Sequence, residues 1–228
     1  TPEKRRGVGI AWGGFNVTEG GGDSAEVALE LMPGNKIRKY DTWHAMGQGA
    51  TTGSLVVTLE ALKEMHLTPE DIQLIQNDTK TCPDTGMAGA SRSLYMDGNA
   101  TIIAANKLLA AMRKEDGTLR TYDEMKAEGI ETKYLGRYET NTTPGLCRLD
   151  PNTGIGDPTP AFTYCLNLAE VEVDTKTGKT TVLKFTCVDF VGRIGNIDAV
   201  NGQAYSGIMH GIGFALKEDY ADVKKHAN

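Results

Sequence analysis

Residues 46–53 read Met46-Gly47-Gln48-Gly49-Ala50-Thr51-Thr52-Gly53, and Ser54-Leu55-Val56-Val57-Thr58-Leu59-Glu60-Ala61-Leu62 follows at once. Three glycines so close together cost a helix or strand interior too much backbone entropy, so the first stretch must be a loop. The second has Leu55, Leu59 and Leu62 at offsets of four and three, which predicts a helix. Ser54 is placed to cap it, because a hydroxyl can accept from a free N–H of the first turn. A glycine loop that feeds a helix start offers unpaired amides at the positive end of the helix dipole. That arrangement suits a phosphate or another anion. A nucleotide-type pyrophosphate is the expected occupant.

The remaining composition narrows the choices. The 228 residues carry a formal net charge of -6 and no basic stripe, which argues against a general nucleic-acid binder. Lys4-Arg5-Arg6 reads as a solvated end. No run approaches the roughly 20 apolar residues of a membrane span, and the first residues lack an apolar signal core. A cytoplasmic protein without membrane contact is expected. Cys82, Cys147, Cys165 and Cys187 are widely spaced, and His44, His66, His210 and His226 are scattered. Neither set has the spacing of a zinc or iron–sulfur site, so no metal bound directly by side chains is expected and the thiols read as reduced. A nucleophilic Cys165 or Cys187 is disfavoured, since no histidine stands in a recognisable partner context.

Along the chain, Gly7 to Trp12 alternates small and apolar residues and reads as a buried strand. Gly20-Gly21-Gly22 is a turn. Ser24 to Met32 puts Ala25, Val27, Leu29 and Leu31 on one face. Pro33-Gly34-Asn35 turns into a second strand, Lys36 to Trp43, so a hairpin leads into the glycine loop. A short strand is expected over Ile72 to Ile75. A second loop, Cys82 to Ser93, contains Gly89-Ala90-Ser91-Arg92-Ser93 and opens a long helix through Asn99, Ile102, Ala105, Leu108 and Ala111. An ordinary cap with close helix packing explains that segment as well as a ligand does. Tyr122 to Lys126 reads as a short helix and Thr140 to Pro160 as a long loop. Ala161 to Asp174 and Lys179 to Val191 form a hairpin, and Gln203 to Tyr220 a helix rich in small residues. The hairpins among packed helices predict an α+β fold with antiparallel or mixed sheets.

Four stretches in this order carry a resemblance: Gly47-Gln48-Gly49-Ala50; Gly89-Ala90-Ser91-Arg92 ahead of Gly98-Asn99-Ala100; Ala169 to Asp174; and Gly202-Gln203 with Gly207 and Gly211-Ile212-Gly213. On these the chain resembles the molybdenum-cofactor-binding region of the xanthine dehydrogenase and aldehyde oxidoreductase family, the molybdenum hydroxylases. It is most similar to bacterial aldehyde oxidoreductases that use molybdopterin cytosine dinucleotide. The resemblance implies that Gly47, Gln48, Gly49, Ala50, Gly89, Ala90, Ser91, Arg92, Ser93 and Gln203 contact that cofactor. It implies oxidative hydroxylation of an aldehyde to a carboxylic acid, with electrons leaving through [2Fe–2S] clusters elsewhere in the parent.

The family's catalytic base is a glutamate in a downstream G-V-G-E segment, and its upstream G-G-x-F segment also has no counterpart here. The chain therefore reads as an internal fragment, inactive alone, with residues 1–80 and 81–228 as parts of two cofactor-binding lobes. The remainder of the large subunit and the iron–sulfur domains or subunits are the implied partners, in a homodimeric parent. Alanine and methionine at 45 and 46 replace the family's Asp-His before G-Q-G. A purine or N-heterocycle hydroxylase of the same family is the alternative. A Rossmann-type nicotinamide domain is a further rival: Gly47 to Gly53 spells G-x-G-x-x-x-G, but the strand before it is too polar for a buried parallel strand. A non-catalytic binding module is the last.

Overall fold

The computed structural model describes residues 3–17, 22–140, 145 and 147–218. The chain divides into two compact units, Asn16–Phe162 and Thr1–Phe15 with Thr163–Asn228. A boundary at residue 80 is not where the molecule divides. The helix that follows residue 91 packs on strands from before residue 80, so both halves of that stretch share one core.

The larger unit is built on a four-stranded sheet of order β4-β3-β2-β5, where β2 is Ser24–Met32, β3 Lys36–Asp41, β4 Ile72–Gln76 and β5 Lys133–Glu139. β2 pairs antiparallel with both β3 and β5, while β3 and β4 run parallel. The sheet is thus mixed, as expected, and not the wholly parallel sheet of a nicotinamide domain. The hairpin turns at Pro33–Asn35, where Gly34 has φ 74 and Asn35 φ 58. Ala25, Val27, Leu29 and Leu31 are all fully buried, so the alternation in β2 faces the core as read. Each fully buried leucine of this kind contributes about 2 kcal/mol. β5 had no counterpart in the sequence reading; its segment, KYLGRYE, carries charges at Lys133, Arg137 and Glu139.

Two helices cover this sheet. α1 spans Ala50–Ala61 and α2 Arg92–Met112; α2 lies over β2 and β5 and packs against α1. Leu62, Ala104, Ala105, Leu108 and Met112 join Leu29, Leu31, Ile37 and Ile72 in one cluster. Ile102 is 46% exposed, so the expected stripe is displaced: the buried residues of α2 include Met96, Ala100, Thr101, Ala104 and Leu108. α2 approaches β5 without a side chain between them at Gly136. A Cβ there would stand 2.0 Å from the Ala100 carbonyl oxygen and 2.6 Å from the Ala104 nitrogen. A short helix, α3 (Tyr122–Ala127), is fixed by a capping box in which Thr121 and Glu124 exchange hydrogen bonds.

The smaller unit holds a three-stranded sheet of order β1-β6-β7, with β1 Lys4–Val17, β6 Ala161–Asp174 and β7 Thr180–Phe190, and the helix α4, Ile197–Leu216. β6 and β7 form the expected antiparallel hairpin, bulged between Glu170 and Val171. Asp174 shapes its turn by accepting from the amides of Lys176 and Thr177. Contrary to expectation, β1 is a strand but not a buried one: Val8, Ile10 and Trp12 are 69%, 67% and 75% exposed. α4 has no buried residue among those described. Of the turn expected at Gly20-Gly21-Gly22, Gly20 and Gly21 lie outside the described residues, as do 141–144 and 146 of the expected long loop and the end of the last helix at Tyr220.

Candidate functional site

β3 ends at Asp41, and the chain then runs as a loop to the start of α1. Gly47 has φ 103 and Gly49 φ 86, backbone that an L side chain rarely adopts. Gly49 is the N-cap, with no side-chain cap bond. Ser54 is not the cap. It sits a full turn inside the helix, and its hydroxyl donates to Asp41 Oδ2 at 2.8 Å. Helix geometry leaves the amides of Ala50, Thr51 and Thr52 without intrahelical acceptors, and the first ladder bond is Gly53 N–H to Gly49 O at 2.9 Å. The Gln48 side chain closes the loop: its oxygen accepts from the Met46 amide at 2.5 Å and its nitrogen donates to the His44 carbonyl at 2.8 Å. A Cβ at Gly47 would meet nothing within 4 Å, so that bend is open to an approaching group.

The second loop reaches α2 through two successive left-handed residues, Ala90 (φ 46) and Ser91 (φ 50). Neither is glycine, and such residues each cost of order 1 kcal/mol. Arg92 anchors the segment. Its Nε and one terminal nitrogen grip Asp23 at 2.6 and 2.8 Å; its other hydrogens go to the carbonyls of Thr85, Met87 and Ser24. The five donors of the guanidinium are thereby engaged, and Arg92 is 4% exposed. It holds the loop's shape from beneath. Ser91 and Ser93, by contrast, have hydroxyls with no partner among the described residues. The two loops are joined directly: Thr42 N–H donates to Thr85 Oγ1 at 2.9 Å, and Thr85 N–H to Thr42 Oγ1 at 3.1 Å.

Beneath both loops lies a buried polar cluster that sequence reasoning missed. Lys39, Asp41 and Asp97 are each 0% exposed. Lys39 Nζ stands 2.8 Å from Asp97 Oδ2 and 3.3 Å from Asp41 Oδ2. Asp41 also accepts from Gln76 at 2.8 Å. Burial pushes the Asp97 carboxyl up to about 6, against the opposing pull of Lys39. The signal was present: Lys39 and Asp41 share the inward face of β3 with Ile37, two residues apart, where apolar side chains are the rule.

Gln203 lies on α4 of the smaller unit, exposed and seven residues into a helix capped by Asn196. It is not at a helix start. Thus the segments 47–50 and 89–93 both belong to the larger unit, while Gln203 belongs to the other unit. Burial and the neighbouring Asp189 push the Cys187 thiol up to about 11, which disfavours its thiolate. Among the described residues no group of histidine, cysteine and carboxylate side chains is placed to hold a metal.

The donor set fits a dinucleotide. Backbone amides at two helix starts, an unfilled bend at Gly47 and two spare hydroxyls are what a pyrophosphate and the rim of a flat heterocycle require. Comparison with known proteins points to a molybdopterin cofactor. A sequence profile described as the molybdopterin cofactor-binding domain matches residues 1–225. The aldehyde oxidoreductase of Megalodesulfovibrio gigas is 39% identical over 100% of this chain, which covers 25% of that protein. The crystal structure of the Desulfovibrio desulfuricans aldehyde oxidoreductase superposes with a TM-score of 0.92 at 41% identity, over 100% of this chain and 25% of that one. Quinoline 2-oxidoreductase from Pseudomonas putida shares the fold, with a TM-score of 0.70 at 17% identity. The chain spans about a quarter of the length of its aldehyde oxidoreductase relatives, and it belongs to the molybdopterin cofactor-binding domain family of the molybdenum-dependent oxidoreductases.

Proposed function

We propose that this chain is part of the molybdenum-binding subunit of an aldehyde oxidoreductase and holds molybdopterin cytosine dinucleotide. The supporting observation is the likeness to the Megalodesulfovibrio gigas enzyme, 39% identical over the whole of this chain and 25% of that protein. The amides of Ala50, Thr51 and Thr52 take the pyrophosphate, with Gly47 and Gly49 keeping side chains out of its way. Gln48, already fixed by its two loop bonds, turns its remaining amide valences to the pterin edge. Ser91 and Ser93 donate from the second loop, and Ala90 and Gly89 leave it room. Arg92 keeps that loop in its left-handed course.

The bound cofactor supplies the redox chemistry of aldehyde hydroxylation, and the protein supplies orientation and exclusion of water. The catalytic glutamate and the [2Fe–2S] centres are assigned to other parts of the parent, so the isolated chain is expected not to oxidise aldehydes. The remainder of the large subunit and the iron–sulfur domains are its proposed partners, in a cytoplasmic homodimer.

Gly49 tests the reading. Valine there is both bulky and β-branched in left-handed backbone, a strain of about 2 kcal/mol. In the parent enzyme, Gly49→Val is expected to lower bound molybdenum and cytidine nucleotide at least about ten-fold without loss of the circular dichroism of the fold. Gly49→Asn separates strain from occlusion, because asparagine tolerates this backbone yet still fills the bend. Full cofactor occupancy in both variants would remove the first loop from the site.

A further inference from the structure

We propose that Lys39 is a positioning residue for the cofactor loops, locking the end of β3 to the start of α2 so that both helix N-termini face one ligand. The inference rests on the functional reading above. On the inward face of β3 the side chains change from apolar Ile37 to cationic Lys39 to acidic Asp41 as the strand nears the first loop. Lys39 takes Asp97 from α2 at 2.8 Å and Asp41 from its own strand at 3.3 Å. Asp41 in turn accepts from Ser54 of α1 and Gln76 of β4, each at 2.8 Å, and from the Trp43 amide at 3.3 Å. Gln76 accepts from Thr51 in the first turn of α1 at 3.3 Å. One ammonium therefore connects four elements, two of which begin at the glycine-rich loops.

Stability alone does not explain this arrangement. Burying a charge triad costs several kcal/mol in lost hydration, and apolar residues of similar volume are often as stable or more so. The triad is also imperfect: Asp97 Oδ1 is buried with no hydrogen-bond partner among the described residues. Directional bonds do what apolar contacts cannot, which is to fix the relative height and rotation of packed elements. Here they act within a few residues of the loops and leave the far end of the sheet to hydrophobic packing.

The groups that set the local charge are Lys39 and Asp41 from β3 and Asp97 from α2. Uncharged Ser54 faces them from α1, Gln76 from β4, and Thr101 from α2, the last 3.5 Å from Asp97 Oδ2. Lys39→Met leaves two buried carboxylates face to face. Without the ammonium that opposes it, burial raises the Asp97 carboxyl further, so an ionised Asp97 becomes more costly at high pH and a lower pH relieves that cost. Amide hydrogen exchange of the full chain, corrected for intrinsic rates, reads the consequence. In Lys39→Met at about pH 7.5, residues 47–53 and 86–93 are expected to exchange about ten-fold faster than wild type, while β2 and β5 stay within about three-fold. Lowering the pH to about 5.5 restores the slow rates. Asp97→Asn keeps an acceptor for Lys39 and the Lys39–Asp41 pair, so its loops stay slow at both pH values.

Uniform acceleration across all elements without recovery at low pH marks Lys39 as merely structural and overturns the proposal. Unchanged loops in Lys39→Met, or Asp97→Asn loops as fast as those of Lys39→Met, overturn it too. Titration of wild type with inorganic pyrophosphate is read separately. Absence of binding there counts against the functional reading and leaves the exchange result to decide the role of Lys39.

Discussion

Asp97 is a buried residue whose charge state the fold alters strongly. Its carboxyl is pushed up to about 6 from the ordinary 3.8, chiefly by burial and then by the Asp41 charge, with Lys39 opposing. A folded-state value above the unfolded one means that the folded protein binds the proton more tightly. The contribution to stability is therefore fully present below about pH 4 and is lost as pH rises through about 6. Denaturant unfolding of Asp97→Asn and wild type between these limits is expected to show the wild type losing ground to the variant as pH rises. Parallel stability curves across that window would remove Asp97 from this role. At this scale the sequence was only partly legible. Gly47, Gln48, Gly49 and the second-loop serines stood out because glycine and small polar residues mark special backbone. Arg92 was read as a member of the site, but not that its five donors would be spent within the protein. Ser54 was misread as a cap because position next to a loop is the same signal for a cap and for a buried hydroxyl. Its distant partner, Asp41, decided the matter.

Elements were more legible where one face meets one layer. β2 faces helices on one side only, so its period of two survives and its bounds, Ser24–Met32, are those expected. α2 is covered by the sheet and by α1, which widens its buried arc. The run through Asn99, Ile102, Ala105, Leu108 and Ala111 describes it only in part: Ala105 and Leu108 are buried, while Ile102 is exposed and small residues such as Ala100 and Ala104 carry much of the contact. β5 was invisible because its hydrophobic content is low and its place depends on pairing with β2, far away in sequence. Gly136 is where these two elements depend on each other. Gly136→Val would drive a side chain into the backbone of α2 at Ala100 and Ala104. The helix must lift off β5, and the change is expected to destabilise the larger unit by at least about 3 kcal/mol. Because α2 begins at the second loop, the same variant should weaken ligand binding before it unfolds the chain. A thermal melt within error of wild type would show that α2 sits higher over β5 than described.

The whole molecule contrasts two kinds of surface. The larger unit has a closed core of fully buried leucines, isoleucine and methionine. The smaller unit has long, well-paired strands but leaves Trp12, Tyr164, Val188 and Phe190 at 75%, 48%, 61% and 64% exposure, and Tyr205, Met209 and Phe214 of α4 at 66%, 66% and 64%. Isolated apolar residues on a surface need no explanation, but strand partners do. Tyr164 stands opposite Phe190 and Leu166 opposite Val188 in the β6–β7 register, so these side chains form a continuous patch. The chain covers only 25% of its aldehyde oxidoreductase relatives, and the proposed covering is the rest of the subunit. The two tryptophans make this measurable, since Trp43 is 5% exposed and Trp12 75% exposed. In the isolated chain, acrylamide is expected to quench one component of the tryptophan emission readily and spare the other, and Trp12→Phe should remove the quenchable one. In the full-length parent with other tryptophans replaced by phenylalanine, Trp12 should become as protected as Trp43. Buried apolar area of this kind contributes about 25 cal/mol per Å², so the covered parent is also expected to unfold at a higher temperature than the isolated chain. Equal quenching of Trp12 in both forms would mean that the patch faces solvent in the parent as well, and that the remainder of the subunit lies elsewhere.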